Sequence, residues 1–171
     1  MQRKYIYRTC VFSLLGTLLF ISKIIMELLP NIHIIALLIT VYTVVYRKWA
    51  LVPVYVFVML SGIMYGFGTW WVPYLYIWLP IWGAVMLLPK NMPKKIAVPV
   101  YMVVGMLHGL LYGVMYAPFQ AFAFGLDFEG TIAWIISGLP FDLLHGIGNL
   151  LSCTLVIPIA VPLKKVSERF L

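Results

Sequence analysis

Residues 96–116 read IAVPVYMVVGMLHGLLYGVMY, a stretch of 21 residues without Asp, Glu, Lys or Arg. An α-helix rises about 1.5 Å per residue, so this stretch is long enough to cross the ~30 Å hydrocarbon core of a bilayer. The rest of the chain is similar, since 64% of its 171 residues are hydrophobic and only 10% are charged. Soluble domains contain roughly 25% charged residues. The composition therefore predicts an integral membrane protein.

Six apolar runs of this kind are separated by charged residues, prolines or glycines. We expect a single domain over residues 1–171, an all-α bundle of six transmembrane helices, with spans at about 9–29, 32–46, 49–65, 70–88, 96–116 and 140–163. Pro30 and Asn31 close the first span. A break at residues 138–140 opens the last span and leaves 119–138 as a short outer segment.

The twelve Lys and Arg residues cluster at alternate ends of these spans. Only Lys23 lies toward the other side, where Glu27 at i+4 is expected to pair with it. The other eleven are Arg3, Lys4, Arg8, Arg47, Lys48, Lys90, Lys94, Lys95, Lys164, Lys165 and Arg169. Because short basic loops stay in the cytoplasm, we expect a multi-pass protein of the plasma membrane with both termini on the cytoplasmic side. The net charge of +7 then indicates contact with anionic lipid rather than with nucleic acid.

Polar side chains inside the spans define the candidate substrate-binding site. Asp142, His145 and Asn149 share one helix face, at i, i+3 and i+7. An acid at the centre of a membrane costs roughly 2.5–3.5 kcal/mol on insertion scales, which favours a functional role. The alternative is that Pro140 opens the helix and Asp142 suits the dipole of its first turn. Further candidates on neighbouring spans are His108, Tyr112, Tyr116, Gln120, Trp71, Tyr74 and Trp78.

Catalysis has less support than binding, because no nucleophile motif, zinc-binding helix motif or phosphate-binding loop accompanies these residues. We expect no enzymatic activity and no cofactor, with any ATP used by partner subunits. Three alternatives stay open. One is a proton-coupled secondary transporter with Asp142, His145 and His108 as a relay; the others are an intramembrane enzyme and a metal-ion carrier using the same three residues.

Three local stretches add a family resemblance: LPNIH at 29–33, TWWVPYLY at 69–76 and GLPFDLLHG at 138–146. With the small size, the six expected spans and the basic tail, they resemble the substrate-binding (S) components of energy-coupling-factor (ECF) transporters, which serve vitamin and micronutrient uptake in prokaryotes. The resemblance implies that a small organic micronutrient binds in the outer half of the membrane and is released when the subunit reorients. It also implies two kinds of partner, a transmembrane coupling subunit and two cytoplasmic ATPases.

The resemblance carries two further expectations. Ser13, Gly16 and Thr17 lie at the depth where that family presents an Ala-x-x-x-Ala pattern to the coupling subunit, and they are small residues without being alanines. Metal-carrying members begin with Met-His, whereas this chain begins Met1-Gln2, so no metal is expected. If Asp142 and the aromatic side chains line the pocket, a flat ligand with hydrogen-bond donors or a positive group would suit it.

Overall fold

The computed structural model describes residues 2–29 and 32–170, and within these ranges it contains helices and no β-strand. The all-α fold class is therefore confirmed. The predicted stop at Pro30 and Asn31 lies outside the described residues, as do the side chains of Arg3, Lys4 and Arg169. The helices are α1 (Gln2–Met26), α2 (Ile35–Tyr46), α3 (Leu51–Tyr65), α4 (Leu79–Leu87), α5 (Lys94–Leu110), α6 (Tyr112–Phe124), α7 (Phe128–Ser152) and α8 (Val156–Phe170).

Several helical segments of the described chain are long and apolar enough to cross a membrane, which agrees with an integral membrane protein. They are Tyr5–Met26, Ile35–Tyr65, Thr69–Leu87, Lys94–Phe124 and Phe128–Glu168. Four of these five are interrupted by a bend or a short 3-10 turn. One interruption is at Arg47, whose φ of +54° breaks the helical path between α2 and α3.

The helix break predicted at residues 138–140 is absent. Helix α7 runs unbroken through Gly138, Leu139 and Pro140, because in an apolar segment a break would expose several unpaired backbone groups, whereas one proline removes a single hydrogen bond. The actual break precedes it. Gly125 ends α6 in the left-handed conformation, and Asp127 caps α7 by accepting a 2.7 Å hydrogen bond from the N–H of Gly130. Residues 119–138 therefore belong mainly to α6 and α7.

Helix α2 forms the centre of the bundle, since every residue from 35 to 43 is buried. The surrounding helices approach one another closely at glycines. A Cβ on Gly109 of α5 would lie 2.6 Å from the backbone nitrogen of Gly146 in α7, and one on Gly105 would lie 2.6 Å from Sγ of Cys153. Close contact of this kind is how helices associate in lipid, where burying apolar area gives no advantage.

One end of the bundle, called here the Arg47 end, brings together residues from four parts of the chain. Arg47 donates hydrogen bonds to the backbone carbonyls of Val85 and Met86, the second at 2.5 Å. The hydroxyls of Tyr46 and Ser167 are 2.6 Å apart. The guanidinium of Arg8 lies over the ring of Trp49 at 5.8 Å.

The opposite end, called here the Lys23 end, is joined by a second set of polar contacts. Lys23 donates to a carboxylate oxygen of Glu27 at 2.9 Å, and the predicted pairing of these residues is confirmed. The Tyr65 hydroxyl donates to the same oxygen at 2.6 Å. The Tyr116 hydroxyl donates to the backbone carbonyl of Trp70 at 2.5 Å. Since Arg8 and Lys23 are fifteen residues apart on one helix, the two ends are separated by roughly 22 Å.

Candidate functional site

A largely enclosed cavity of about 200 Å³ lies inside the bundle next to the Lys23 end. This volume corresponds to about seven water molecules, because each water molecule occupies ~30 Å³ in the liquid. Side chains from α1, α2, α6, α7 and the segments before α2 and α4 meet around it. The lining residues are Lys23, His33, Ile35, Tyr74, Trp78, Tyr112 and His145.

The cavity wall is a continuous set of aromatic and imidazole rings. Tyr74 and Trp78 meet edge to face with ring centroids 5.4 Å apart, and Tyr112 and His145 lie 4.9 Å apart. His33 approaches His145 with a centroid distance of 6.1 Å. Of the residues expected to bind substrate, Tyr74, Trp78, Tyr112 and His145 line this cavity.

Local backbone structure places these rings side by side. Tyr74 belongs to a 3-10 helix, Thr69–Leu75, that contains Pro73. Trp78 occupies the N-cap position, directly before α4 begins. A 3-10 helix has three residues per turn, and the turn at 76–78 then brings the Trp78 ring back beside the Tyr74 ring. Tyr112 follows a bend at Leu111, where α5 ends and α6 begins.

Two residues of the cavity wall carry a polar atom that has no hydrogen-bond partner in the described structure. The atoms are Nε1 of Trp78 and Nδ1 of His33. Both atoms are buried, and Trp78 as a whole has only 3% of its surface exposed. A buried donor left unpaired costs about 1–3 kcal/mol. The two atoms are therefore covered by the surrounding protein, and the cavity itself is bounded by other parts of these rings.

His108 lies behind the cavity wall rather than on it. Its ring stacks on Trp78 with centroids 5.8 Å apart, and its Nε2 is 3.0 Å from the backbone carbonyl oxygen of Ile77. Because a carbonyl can only accept, Nε2 carries the proton in this contact. Its Nδ1 is buried without a partner. His108 thus fixes the back of the Trp78 ring.

Asp142 does not line the cavity. Its Oδ2 accepts a 3.0 Å hydrogen bond from the backbone N–H of Gly113, and only 6% of its surface is exposed. The first N–H groups of a helix lack partners within that helix, and Asp142 satisfies one of them at the start of α6. The alternative that Asp142 occupies the first turn of its own helix is wrong, because α7 begins at Phe128.

Asn149 is completely buried, where α7 crosses α5. Both its Nδ2 and its Oδ1 lack a partner in the described structure, yet Asn149 does not contribute to the cavity wall. The Cβ atom of Asn149 would lie 3.6 Å from a Cβ built on Gly105. The predicted stripe of Asp142, His145 and Asn149 is thus divided, and only its middle residue reaches the cavity.

The other candidate residues lie around the cavity at greater distance. The indole N–H of Trp71 donates to the backbone carbonyl of Val58 at 2.8 Å. Tyr116 holds the backbone of Trp70 and stacks on Trp134 with centroids 6.3 Å apart. Gln120 is half-buried one turn further along α6. These contacts stabilise the Lys23 end.

Sequence reasoning missed three lining residues: Lys23, His33 and Ile35. One signal for Lys23 was available, since it is the only cation placed away from the basic groups. Burial lowers the pKa of His33, and the positive charge of nearby Lys23 lowers it further. Hydrogen bonds from Tyr65 and from Lys23 lower the pKa of Glu27. At neutral pH the imidazole of His33 is therefore uncharged, and Glu27 is a carboxylate.

The residues expected to dock a partner are divided between two faces of α1. Gly16 is buried, and a Cβ there would lie 2.5 Å from Cβ of Val56 in α3, so its small size serves packing inside the chain. Ser13 is exposed and Thr17 half-buried. The Thr17 hydroxyl donates to the backbone carbonyl of Ser13 at 2.9 Å, which removes one unpaired donor from this surface.

In the described part of the chain, no three His, Cys, Asp or Glu side chains come together in a way that could hold a metal ion. Comparisons with protein-family models, curated proteins and solved structures give no match for this chain.

Proposed function

We propose that this chain is the substrate-capture subunit of an ATP-driven importer of the ECF type, in the plasma membrane of a prokaryote. The observation that carries the proposal is the cavity of about 200 Å³ beside the Lys23 end, which is lined by aromatic and imidazole rings and by Lys23. Binding sites for small molecules are concave and mostly apolar, with a few polar groups that fix the orientation of the ligand. A small organic micronutrient suits a cavity with this lining.

The proposed topology has six crossings with both termini in the cytoplasm. The contacts at the Arg47 end and at the Lys23 end support it, because four of the six segments have a residue in both sets. These four are residues 8–23, 49–65, 70–86 and 134–167. The other two proposed crossings, residues 35–46 and 94–116, have one such residue each, Tyr46 and Tyr116. The Arg47 end carries the basic groups, which stay inside. The cavity then belongs to the outer half of the membrane, where a capture subunit meets its substrate.

Partner subunits would supply the energy. This chain has no phosphate-binding loop, so the proposal assigns ATP hydrolysis to two cytoplasmic ATPases and force transmission to a transmembrane coupling subunit. The surface of Ser13 and Thr17 on α1 is available for that subunit, since both side chains are at least partly exposed. Small side chains there permit close approach of another helix.

A proton-coupled carrier is the second candidate, and the arrangement of its supposed relay supports it less. Proton transfer requires donor and acceptor within hydrogen-bond reach or one water apart. The Asp142 carboxylate is bound to the Gly113 backbone, and the protonated nitrogen of His108 is bound to the Ile77 carbonyl. Neither group is directed at the other in this arrangement.

Purification from native membranes followed by reconstitution tests the proposal. The tagged chain is expected to copurify with one membrane subunit and two ATPases. Proteoliposomes of that complex should take up the solute that copurifies with the chain only when ATP is enclosed with the ATPases. Uptake by the isolated chain under a proton gradient, without ATP, would instead establish the carrier.

A further inference from the structure

The charge of the cavity wall comes from Lys23, and this determines which molecules suit it. We infer that the cavity takes a small planar anion, an aromatic or heteroaromatic molecule bearing a carboxylate, with Lys23 as its charge partner. This inference rests on the proposed capture function, because it names the substrate class of the same cavity. It reverses the expectation of a donor-rich or positively charged ligand, which depended on Asp142 lining the pocket.

Among the described lining residues, Lys23 is the only one with a formal charge at neutral pH. Neither of the two nearby acids lines the cavity. Asp142 binds the Gly113 backbone, and Glu27 binds Lys23 from the rim, with 44% of its side chain exposed to solvent. A cationic ligand would therefore meet the ammonium of Lys23 and no lining carboxylate, which is unfavourable in a low-dielectric interior.

Lys23 retains the capacity to bind an anion. Its ammonium group has three N–H donors and no acceptor. One donor is used by Glu27 at 2.9 Å, while the Tyr65 ring lies 4.0 Å from Nζ and contributes a cation–π contact that uses none. Only 15% of the Lys23 side chain is exposed. A carboxylate in the cavity would thus find an available donor at a group already shielded from solvent.

The other walls select a flat molecule. The rings of Trp78, Tyr112 and His145 offer faces and edges for stacking. Space for about seven waters corresponds to a ligand of roughly ten non-hydrogen atoms. A single ring with one carboxylate has the shape, the size and the charge that this cavity favours.

Three probes of equal size test the charge preference directly: benzoate, benzamide and benzamidine, which are an anion, a neutral amide and a cation on the same ring. Their binding to the purified full chain in detergent is measured by quenching of tryptophan fluorescence and by calorimetry. We expect benzoate to bind best and benzamidine worst, with roughly a tenfold or larger difference between them, as is typical of hydrogen bonds to charged groups.

Variants at Lys23 assign the preference to that residue. Lys23→Met keeps the length of the side chain and should remove the advantage of benzoate over benzamide. Lys23→Arg keeps the charge and should restore it. Lys90→Met changes an exposed lysine in the loop after α4 and serves as the matched control, with the wild-type order of affinities. Thermal unfolding of each variant verifies that it is folded.

Three results would overturn the inference: benzamidine binding as well as benzoate or better, no binding of any of the three probes, or an unchanged order of affinities in folded Lys23→Met. Failure of the transport proposal is distinguishable, because these measurements use the isolated chain without ATP or partners. ATP-driven uptake of a cationic solute would contradict the anion preference and leave the capture function standing.

Discussion

The backbone N–H of Gly113 donates a 3.0 Å hydrogen bond to Oδ2 of Asp142, and this bond joins the first turn of α6 to the middle of α7. The bend at Leu111 leaves the first N–H groups of α6 without helical partners. Asp142 therefore has a structural role: its hydrogen bond stabilises the bend that places Tyr112 at the cavity. The charge available to a ligand comes from Lys23 on another helix.

Gly113→Ala should destabilise the protein. A Cβ at this position would lie 2.5 Å from Oδ2 of Asp142, so the carboxylate must move and its hydrogen bond to the backbone is weakened or lost. Hydrogen bonds to charged groups contribute about 1.5–3 kcal/mol, and we expect a loss of that order in the free energy of unfolding. Thermal or denaturant unfolding in detergent measures it.

Gly83→Ala in α4 is the matched control, because a Cβ there meets no atom within 4 Å. Alanine is the better helix former by roughly 1 kcal/mol, so this variant should be as stable as the wild type or more stable. Equal losses at both glycines would show that the bond between Gly113 and Asp142 contributes little.

Asp142→Asn should leave ligand binding nearly unchanged. The asparagine Oδ1 can still accept from the Gly113 N–H, and the side chain does not line the cavity. We expect a loss of about 1 kcal/mol in stability, since a neutral acceptor replaces a charged one, and benzoate affinity within about threefold of the wild type. A large loss of affinity in a folded variant would mean that the ligand reaches Asp142.

His33 should make stability depend on pH. Burial lowers its pKa below the ordinary value of 6.5, so around and below pH 6.5 the unfolded chain binds more protons than the folded one. The contribution of the uncharged His33 to the free energy of unfolding is fully present above that pH and decreases as the pH falls. Between about pH 7.5 and about pH 5.5, the unfolding temperature of the wild type should fall more than that of His33→Gln. If the unfolding temperatures of the wild type and of His33→Gln fell equally with pH, groups other than His33 would cause the pH dependence of stability.

Thr17→Leu should separate binding from transport. Thr17 lies outside the cavity, so benzoate affinity should persist. It also lies on the α1 surface proposed for the coupling subunit. ATP-driven uptake should therefore fall, because a bulky side chain there prevents close helix contact. Ser137→Leu, at an exposed position of α7, is the control and should retain both. Normal uptake by Thr17→Leu would remove α1 from the docking surface.

The helical fold could be predicted because it follows from composition and the cost of unpaired backbone groups in lipid. Helices α2 and α3 lie within 3 residues of the predicted second and third spans. The start of the last span could not be predicted in the same way. The residues Gly138 and Pro140 are typical helix breakers in water, yet the surrounding lipid-facing helix continues through them.

The candidate site could be predicted in part, where the position of a residue on one helix face determines what its side chain contacts. Tyr112 and His145 reach the cavity, whereas Asp142 on the same face as His145 is captured by the Gly113 backbone. Helical spacing shows which side chains share a face, but not which unpaired N–H of another helix lies opposite. The position of Lys23 at the cavity depends on how α1 packs against α3, which no local pattern specifies.

Mass spectrometry of the small molecules released from the purified chain shows whether the cavity holds a planar acid, with a cavity-filled variant, His145→Trp, measured beside the wild type. We expect the wild type to release close to one equivalent of a small planar acid and the folded variant to release none. Equal release from both proteins, or a cation as the molecule retained by the wild type alone, would contradict it.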